Sequence, residues 1–436
     1  MRRLKVWISI LGISAVFAQA PAPVGDAFIL KGGTIHTISG AVIENGSVLM
    51  RGGKIVAVGK NFTTPDGYKV IDIHSQQVYP GMIDAASMLG LDSTASELAT
   101  DAQEMGLLNP QLRAATAVNP ESDHIPASRA NGVTSVMEMP EGELLSGQMS
   151  LIHLDGSTNN QMVVAPSTAI HLRFPAIVTR PVRPHESDDA DDDPAPPEPI
   201  PYEEAKAKYD REMTALLQFF DEARAYRKAK LAKARGFQTD LKLEAMIPAL
   251  AGKTPLFVTA VREREIREAI DFADKQKVRI ILADAYEAYK VIPLLKERKI
   301  PVVLGPTFTL PLDPDDPYDR SYTTPGELYR AGIPFAIASF SARQSHNLPY
   351  QAAAAVPYGL PKEQAYRAVS LSAAEIFGLA SRLGSIEEGK TADLIVSDGD
   401  PLEVTTKVTM VFIDGKPVSL DTRQRQLYEK YSNRPK

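Results

Sequence analysis

Five short apolar runs punctuate the middle of this chain, at residues 133–137, 256–259, 279–282, 302–304 and 335–338, with helical stretches between them. Runs of this length and aliphatic content fit strands buried on both faces, as in a parallel sheet. Residues 263–275 carry Ile266, Ile270 and Ala273 at helical spacing. Residues 286–296 read as a further helix, which Pro293 kinks or ends. A β-then-α rhythm sustained over about 300 residues leaves few architectures. The expected one is an α/β fold, a (β/α)8 TIM barrel. A doubly wound sheet is the alternative, but no phosphate-binding Gly-x-Gly-x-x-Gly follows any of the runs.

The two ends have a different texture. Residues 27–77 alternate polar and apolar in short runs broken by Gly32-Gly33 and Gly52-Gly53. The same pattern returns at 392–396 and 408–413, with Asp414-Gly415-Lys416 as a turn into Pro417-Val418-Ser419. Period-two alternation with tight turns predicts antiparallel strands. One small β-sandwich built from 27–79 and 392–419 is therefore expected, with the barrel, 80–391, inserted between its halves. Residues 420–436 form a polar, helical tail.

Charge and composition exclude several functions. A net charge of −6, about −9 without Arg2, Arg3 and Lys5, offers no basic stripe for nucleic acid. The absence of cysteine removes disulfides, thiolate metal sites and a thiol nucleophile together. Residues 1–20 have the layout of a secretory signal: a charged start, an apolar stretch from Val6 to Phe17, and small residues around Ala18 and Ala20. The expected location is periplasmic or secreted, with no membrane attachment once the signal is removed. Residues 183–201 hold Glu186, Asp188, Asp189 and Asp191 to Asp193, then five prolines. Such a run repels itself and cannot build a core, so an unpacked acidic insertion is expected there. It lacks the spacing of a calcium loop. Residues 203–234 read as a long charged helix.

The stretch from Val78 to Leu89, Val-Tyr-Pro-Gly-Met-Ile-Asp-Ala-Ala-Ser-Met-Leu, carries a more specific signal. It resembles the PG(L/M)IDxHxH signature with which amidohydrolase-superfamily enzymes begin their barrel. Pro80, Gly81, Met82, Ile83 and Asp84 match, and Ala86 and Met88 stand at the two histidine positions. Ser370 to Leu379 looks like the family's T-x-N-P-A-x-x-L-G-L, and Leu383 to Leu394 is similar to its G-S-I-x-x-G-K-x-A-D-L. The resemblance runs from about Ala27 to Ser419 and points to the secreted, imidazolonepropionase-like branch. It implies hydrolysis of carbon–nitrogen bonds by one or two divalent ions at the barrel mouth. Such ions lower the pKa of a bound water and polarise the scissile carbonyl.

The remaining ligand positions that the resemblance implies fall on Thr259, on Tyr286 and on Ser339 or Phe340. With Ala86 and Met88, none offers the family's imidazole or carboxylate. Of the seven histidines, no two stand at i, i+2 or i, i+4. The polar residues expected near the mouth are His346 with Arg343 and Asn347, then Asp284, Glu138, Tyr286 and Ser87; a plain hydrogen-bonding role competes with a catalytic one at each. The expected function is an exported amidohydrolase-family protein with a degenerate, metal-free centre. It would act as a binding subunit beside an active paralogue or through self-association, with no cofactor. The alternative is an active hydrolase with a rearranged site, where zinc or another divalent ion remains in play.

Overall fold

The computed structural model describes residues 26–91, 102, 105–179 and 198–434. The expected signal sequence and most of the acidic insertion lie outside these residues.

Five strands open the chain: β1 (Ala27–Ile35), β2 (Ile43–Arg51), β3 (Lys54–Gly59), β4 (Lys69–Asp72) and β5 (Gln77–Pro80). Eight follow: β6 (Met82–Ser87), β7 (Val133–Glu138), β8 (Leu145–His153), β9 (Val163–Arg173), β10 (Leu256–Thr259), β11 (Ile280–Ala283), β12 (Val302–Leu304) and β13 (Phe335–Ile337). The last three are β14 (Leu394–Ser397), β15 (Val408–Ile413) and β16 (Lys416–Val418). One mixed sheet runs β16-β15-β14-β5-β1-β2-β3, with β4 paired to β1, so strands from both ends of the chain share it. Phe28 of β1 meets Phe412 of β15 edge-on at 5.9 Å in its core. The second sheet orders β13 to β6 and curls into a nearly closed barrel.

The barrel departs from a plain (β/α)8 pattern at β8, which is antiparallel to both β7 and β9. The connections around β8 are short, residues 139–144 and 154–162. A parallel crossover needs a dozen or more residues, so chains this short can only turn back.

The single strand expected over 78–83 is in fact two. Pro80 ends β5 in the mixed sheet and Met82 begins β6 in the barrel. Gly81 makes the hand-over: its N–H donates to the Asp393 carbonyl at 2.8 Å, and a Cβ there would lie 2.1 Å from Thr134 Oγ1. The opening Pro-Gly pair is therefore a requirement of the fold, independent of any chemistry at the mouth.

Helices cover the outside. In Glu263–Gln276 the buried face holds Ile266, Ala269, Ile270 and Ala273, and Glu265 folds back onto the Arg262 N–H at 3.2 Å. Residues 286–298 divide into a 3-10 turn, Tyr286–Val291, and a helix, Ile292–Arg298. Pro293 sits in the first turn of that helix, where its missing N–H costs nothing; it starts the helix rather than kinking one. The long helix Tyr202–Leu231 packs on this chain's own barrel. Phe220 meets Phe272 at 5.2 Å and Phe272 meets Phe174 at 5.8 Å. None of the described helices is long and apolar enough to cross a membrane.

Candidate functional site at the barrel mouth

Side chains alternate between the two faces of each strand. Met137, Leu151, Phe257, Ile281, Val303 and Ala338 fall on the inner face, where they pack together with Ala373, Ala374 and Phe377 from the 370–384 segment. Phe257 stacks 5.9 Å from Phe377 and 6.3 Å from Phe340. The lumen is thus filled by aromatic and aliphatic groups up to the level of β13.

Polar side chains on that inner face include Ser135 of β7, buried without a hydrogen-bond partner, and, towards the other end, His171 of β9 with Thr259 of β10. His171 Nδ1 lies 2.7 Å from the Pro140 carbonyl, which can only accept, so Nδ1 carries the proton. Nε2 then accepts from Thr259 Oγ1 at 2.9 Å. Burial pushes the imidazole down to about 4, so it is neutral at ordinary pH. His171 went unnoticed as a site residue in the sequence. Its signal was the alternation Thr168, Ile170, Leu172 against Ala169, His171, Arg173, which could be read only once β9 was recognised as a barrel strand.

The residues singled out from the sequence separate widely. Ala86 packs in the lumen, whereas Met88 packs with Leu89 and Leu91 in the layer outside the barrel. Ser339 is not the inward residue of its pair. Ala338 and Phe340 face the lumen, and Ser339 points outward to Asp84, donating from Oγ at 2.5 Å and from N at 3.0 Å. Ser345 Oγ adds a third bond to Asp84 at 2.8 Å. Burial nevertheless holds the Asp84 carboxyl up at about 6, opposed by these hydrogen bonds. With Phe340 N donating to Ala86 O at 2.9 Å, this cluster closes β13 against β6.

Glu138 does not line the mouth. It pairs with Ser150 across β7 and β8, while its neighbour Met137 pairs with Leu151. Met137 and Leu151 are lumen residues, so Glu138 faces the other way, fully buried under the outer layer. Neither carboxyl oxygen has a hydrogen-bond partner. Burial, then the nearby Asp84 charge, raises its pKa well above the ordinary value. His346 also leaves the mouth. After β13 the chain descends outside β6, and Asn131, which precedes β7, donates to the His346 carbonyl at 2.9 Å. Arg343 lies half-buried on that descending segment. Ser87 donates to the Ser341 carbonyl at 3.0 Å, a structural bond beside the same segment.

Asp284 and Tyr286 do meet, at the rim of the barrel between its strand ends and the helix Arg320–Ala331. They line a small cavity, about 40 Å³, with Gly305, Thr309, Ser321 and Thr324 at the ends of β11 and β12. That volume holds two or three waters or one small polar group. Asp284 has a left-handed backbone, φ 51°, which for a residue other than glycine often marks a functional turn. Its carboxyl makes no hydrogen bond among the described residues and occupies the space a Cβ on Gly305 would need, 2.3 Å away. Burial, then the charge of Glu265, raises it to about 7. Ser321 Oγ is buried beside it without a partner.

Two other groups bring three possible metal ligands together among the described residues, and neither lies in the lumen. His153 stands between Asp393 (Nε2 to Oδ2, 3.0 Å) and Asp414 (Nδ1 to Oδ2, 3.5 Å) where β8 meets the mixed sheet. Each ring nitrogen faces a different carboxylate, the arrangement of a bridging imidazolium. The Asp393 contact lies off the N–H direction, so it is more a charge contact than a hydrogen bond. Glu287, Asp313 and Asp316 form the other group, but Arg262 holds Asp313 at 2.6 Å and Lys290 holds Glu287 at 2.7 Å.

A nearly closed α/β barrel carrying a mixed sheet built from both chain ends is the architecture of the metal-dependent amidohydrolases. The sequence pattern of the Amidohydrolase family matches residues 327–418. An imidazolonepropionase of Thermoplasma volcanium is 34% identical over 118 residues, 25% of this chain and 29% of that protein. Amidohydrolase tasK of Hapsidospora irregularis is 35% identical over 89 residues, 20% of this chain and 9% of that protein. The matches thus span under a third of either curated relative. An amidohydrolase from Thermotoga maritima MSB8 superposes with a TM-score of 0.77 at 27% identity, over 90% of this chain and 99% of that one. A prolidase superposes with a TM-score of 0.54 at 19% identity, over 90% and 99% of the two chains, a likeness of fold alone. The chain belongs to the amidohydrolase superfamily.

Proposed function

We propose that this chain is an exported amidohydrolase-family protein that does not run the family's metal-dependent hydrolysis and serves as a binding subunit. One observation carries the reading. Among the described residues, the inner face of the strand ends offers a single imidazole, His171, whose two nitrogens are already engaged by Pro140 and Thr259. A divalent ion needs three or more free nitrogen or oxygen donors converging on one point. Ala86, Thr259, Ala283 and Phe340 supply one hydroxyl, and that hydroxyl donates to His171. The donor set does not fit the ion. Binding at the mouth falls instead to the cavity around Asp284, which admits one small polar group of a larger ligand. Export rests on the layout of residues 1–20.

A second reading keeps hydrolysis of carbon–nitrogen bonds at a rearranged site. Asp284 favours it, because a carboxyl near 7 is matched to proton transfer at neutral pH. The two readings part on one experiment. The mature protein is assayed against cyclic amides and dipeptides, with and without added zinc or manganese, beside Asp284→Asn. No turnover under any condition supports the binding reading. Metal-independent turnover lost in Asp284→Asn supports the second. Turnover that requires metal contradicts the binding reading and moves the rearranged site of the second to one that holds an ion.

A further inference from the structure

The end of the helix Tyr202–Leu231, the end of Glu263–Gln276 and Leu250 enclose a surface groove of about 500 Å³, the size of an ordinary ligand site. Its walls are Arg224, Arg227, Lys228, Lys275 and Lys277, and its floor includes Leu231; no acidic residue lines it. Arg227 is spent on the Leu250 carbonyl, 2.8 Å, and Arg224 on the Gln276 carbonyl, 2.8 Å, with the exposed Asp221 at 3.4 Å. The side chains of Lys228, Lys275 and Lys277 have no hydrogen-bond or ion-pair partner among the described residues. Five cations converge here on a chain whose net charge is −6.

The matching anions are in the same sequence. Glu186, Asp188, Asp189, Asp191, Asp192 and Asp193 form its densest acidic run. Their own groove lies at the limit of their reach. Ile200 N bonds Thr179 O at 2.9 Å, so the run leaves from and returns to one point beside Tyr202. Arg224 lies about 22 residues along the helix from Tyr202, roughly 33 Å at ~1.5 Å per residue, and Leu231 lies further. Glu186 and Asp193 are each about seven residues from the anchored ends, at most roughly 24 Å at full extension. Asp189, at about ten residues, reaches only the near edge.

We propose that the acidic run of one copy docks in the basic groove of a second copy, so that the chain self-associates through paired charge contacts. A two-fold dimer would make the contact twice. The inference is independent of the barrel mouth and stands or falls apart from the reading proposed for it.

The test is a charge-complementation experiment by sedimentation equilibrium on the mature full chain. One variant reverses the groove (Lys228→Glu, Lys275→Glu, Lys277→Glu). The other neutralises the run (Asp188→Asn, Asp189→Asn, Asp191→Asn, Asp192→Asn, Asp193→Asn). All the altered groove residues are exposed, and thermal melts verify that both variants fold. Wild type is expected to associate at low salt and to weaken at least tenfold in Kd at high salt, since exposed charge contacts are screened. Each variant alone is expected to be monomeric, and an equimolar mixture to pair through its one intact contact. A wild type monomeric at every salt concentration overturns the proposal. So do variants that associate as wild type does, a mixture that stays monomeric, or a groove that binds polyphosphate while the chain remains a monomer.

Discussion

Glu138 is a costly residue of the barrel wall, a fully buried acid without a hydrogen-bond partner. Its folded pKa lies above the unfolded value near 4.5, so the native state keeps a proton that the unfolded chain releases. The resulting stability is complete below that value and is lost as pH rises toward the folded pKa, by up to ~1.4 kcal/mol per unit. Asp84 adds a loss of the same sign between 3.8 and about 6. Thermal melts from pH 5 to 8 should show wild type losing stability more steeply than Glu138→Gln, and the variant should be the more stable at pH 8. Parallel curves would refute a neutral Glu138. At the mouth, Gly305→Ala puts a Cβ 2.3 Å from Asp284 Oδ1, so the carboxyl must move. In an NMR titration of labelled aspartates, Asp284 should drop from about 7 toward the ordinary range in this variant. An unchanged value would mean that the carboxyl does not need the gap beside Gly305. The resemblance to the family signature identified Ala86 and Thr259 as lumen positions. It left Ser339 and Phe340 unresolved, because a one-residue uncertainty at a strand end exchanges the two faces. Parity along β7 puts Glu138 opposite Met137, but a strand apolar on both faces does not say which of the two faces the lumen.

Elements were legible where hydrophobic period and length agreed. The buried stripe of Glu263–Gln276 and the strands β10 to β13 lie where the apolar runs stand in the sequence. Strand direction was not legible, because an apolar run has the same composition read either way; the short connections around β8 held that information. The reversal has a consequence. It delivers His153, the last residue of β8, to the foot of the barrel between Asp393 and Asp414. Burial alone would lower the imidazole's pKa, but the Asp393 and Asp414 carboxylates outweigh it and raise it to about 10. The folded value is above the unfolded 6.5, so the stabilisation is complete below pH 6.5 and is lost as pH rises through about 10. His153→Gln leaves the buried Asp393 without its counter-charge and should cost about 3–5 kcal/mol at neutral pH. Denaturant melts at pH 7 measure the loss, and melts up to pH 10 should find the difference from wild type shrinking. A variant as stable as wild type at pH 7 would show that the clasp contributes nothing.

At the scale of the whole molecule, the family's scaffold is intact, and among the described residues the strand ends of the inner face carry one hydrogen-bonded polar pair, His171 and Thr259. Gly81 at the crossing from mixed sheet to barrel and the Asp84 cluster that closes β13 on β6 depend on contacts within the fold, not on an ion. The scaffold was readable in the sequence because those contacts demand particular residues: Pro-Gly at the hand-over, Asp84 at the closure, Asp393 beside His153. The contents of the mouth were less readable, because the Asp284 cavity depends on a backbone turn and on the empty space beside Gly305. The most direct test of the central claim is metal content. The protein, equilibrated with excess zinc or manganese and desalted, is analysed by inductively coupled plasma mass spectrometry beside His171→Ala, Thr259→Ala and His153→Gln. The account predicts no ion whose retention depends on His171 or Thr259. About one equivalent per chain, lost in His171→Ala or Thr259→Ala and kept in His153→Gln, would contradict it.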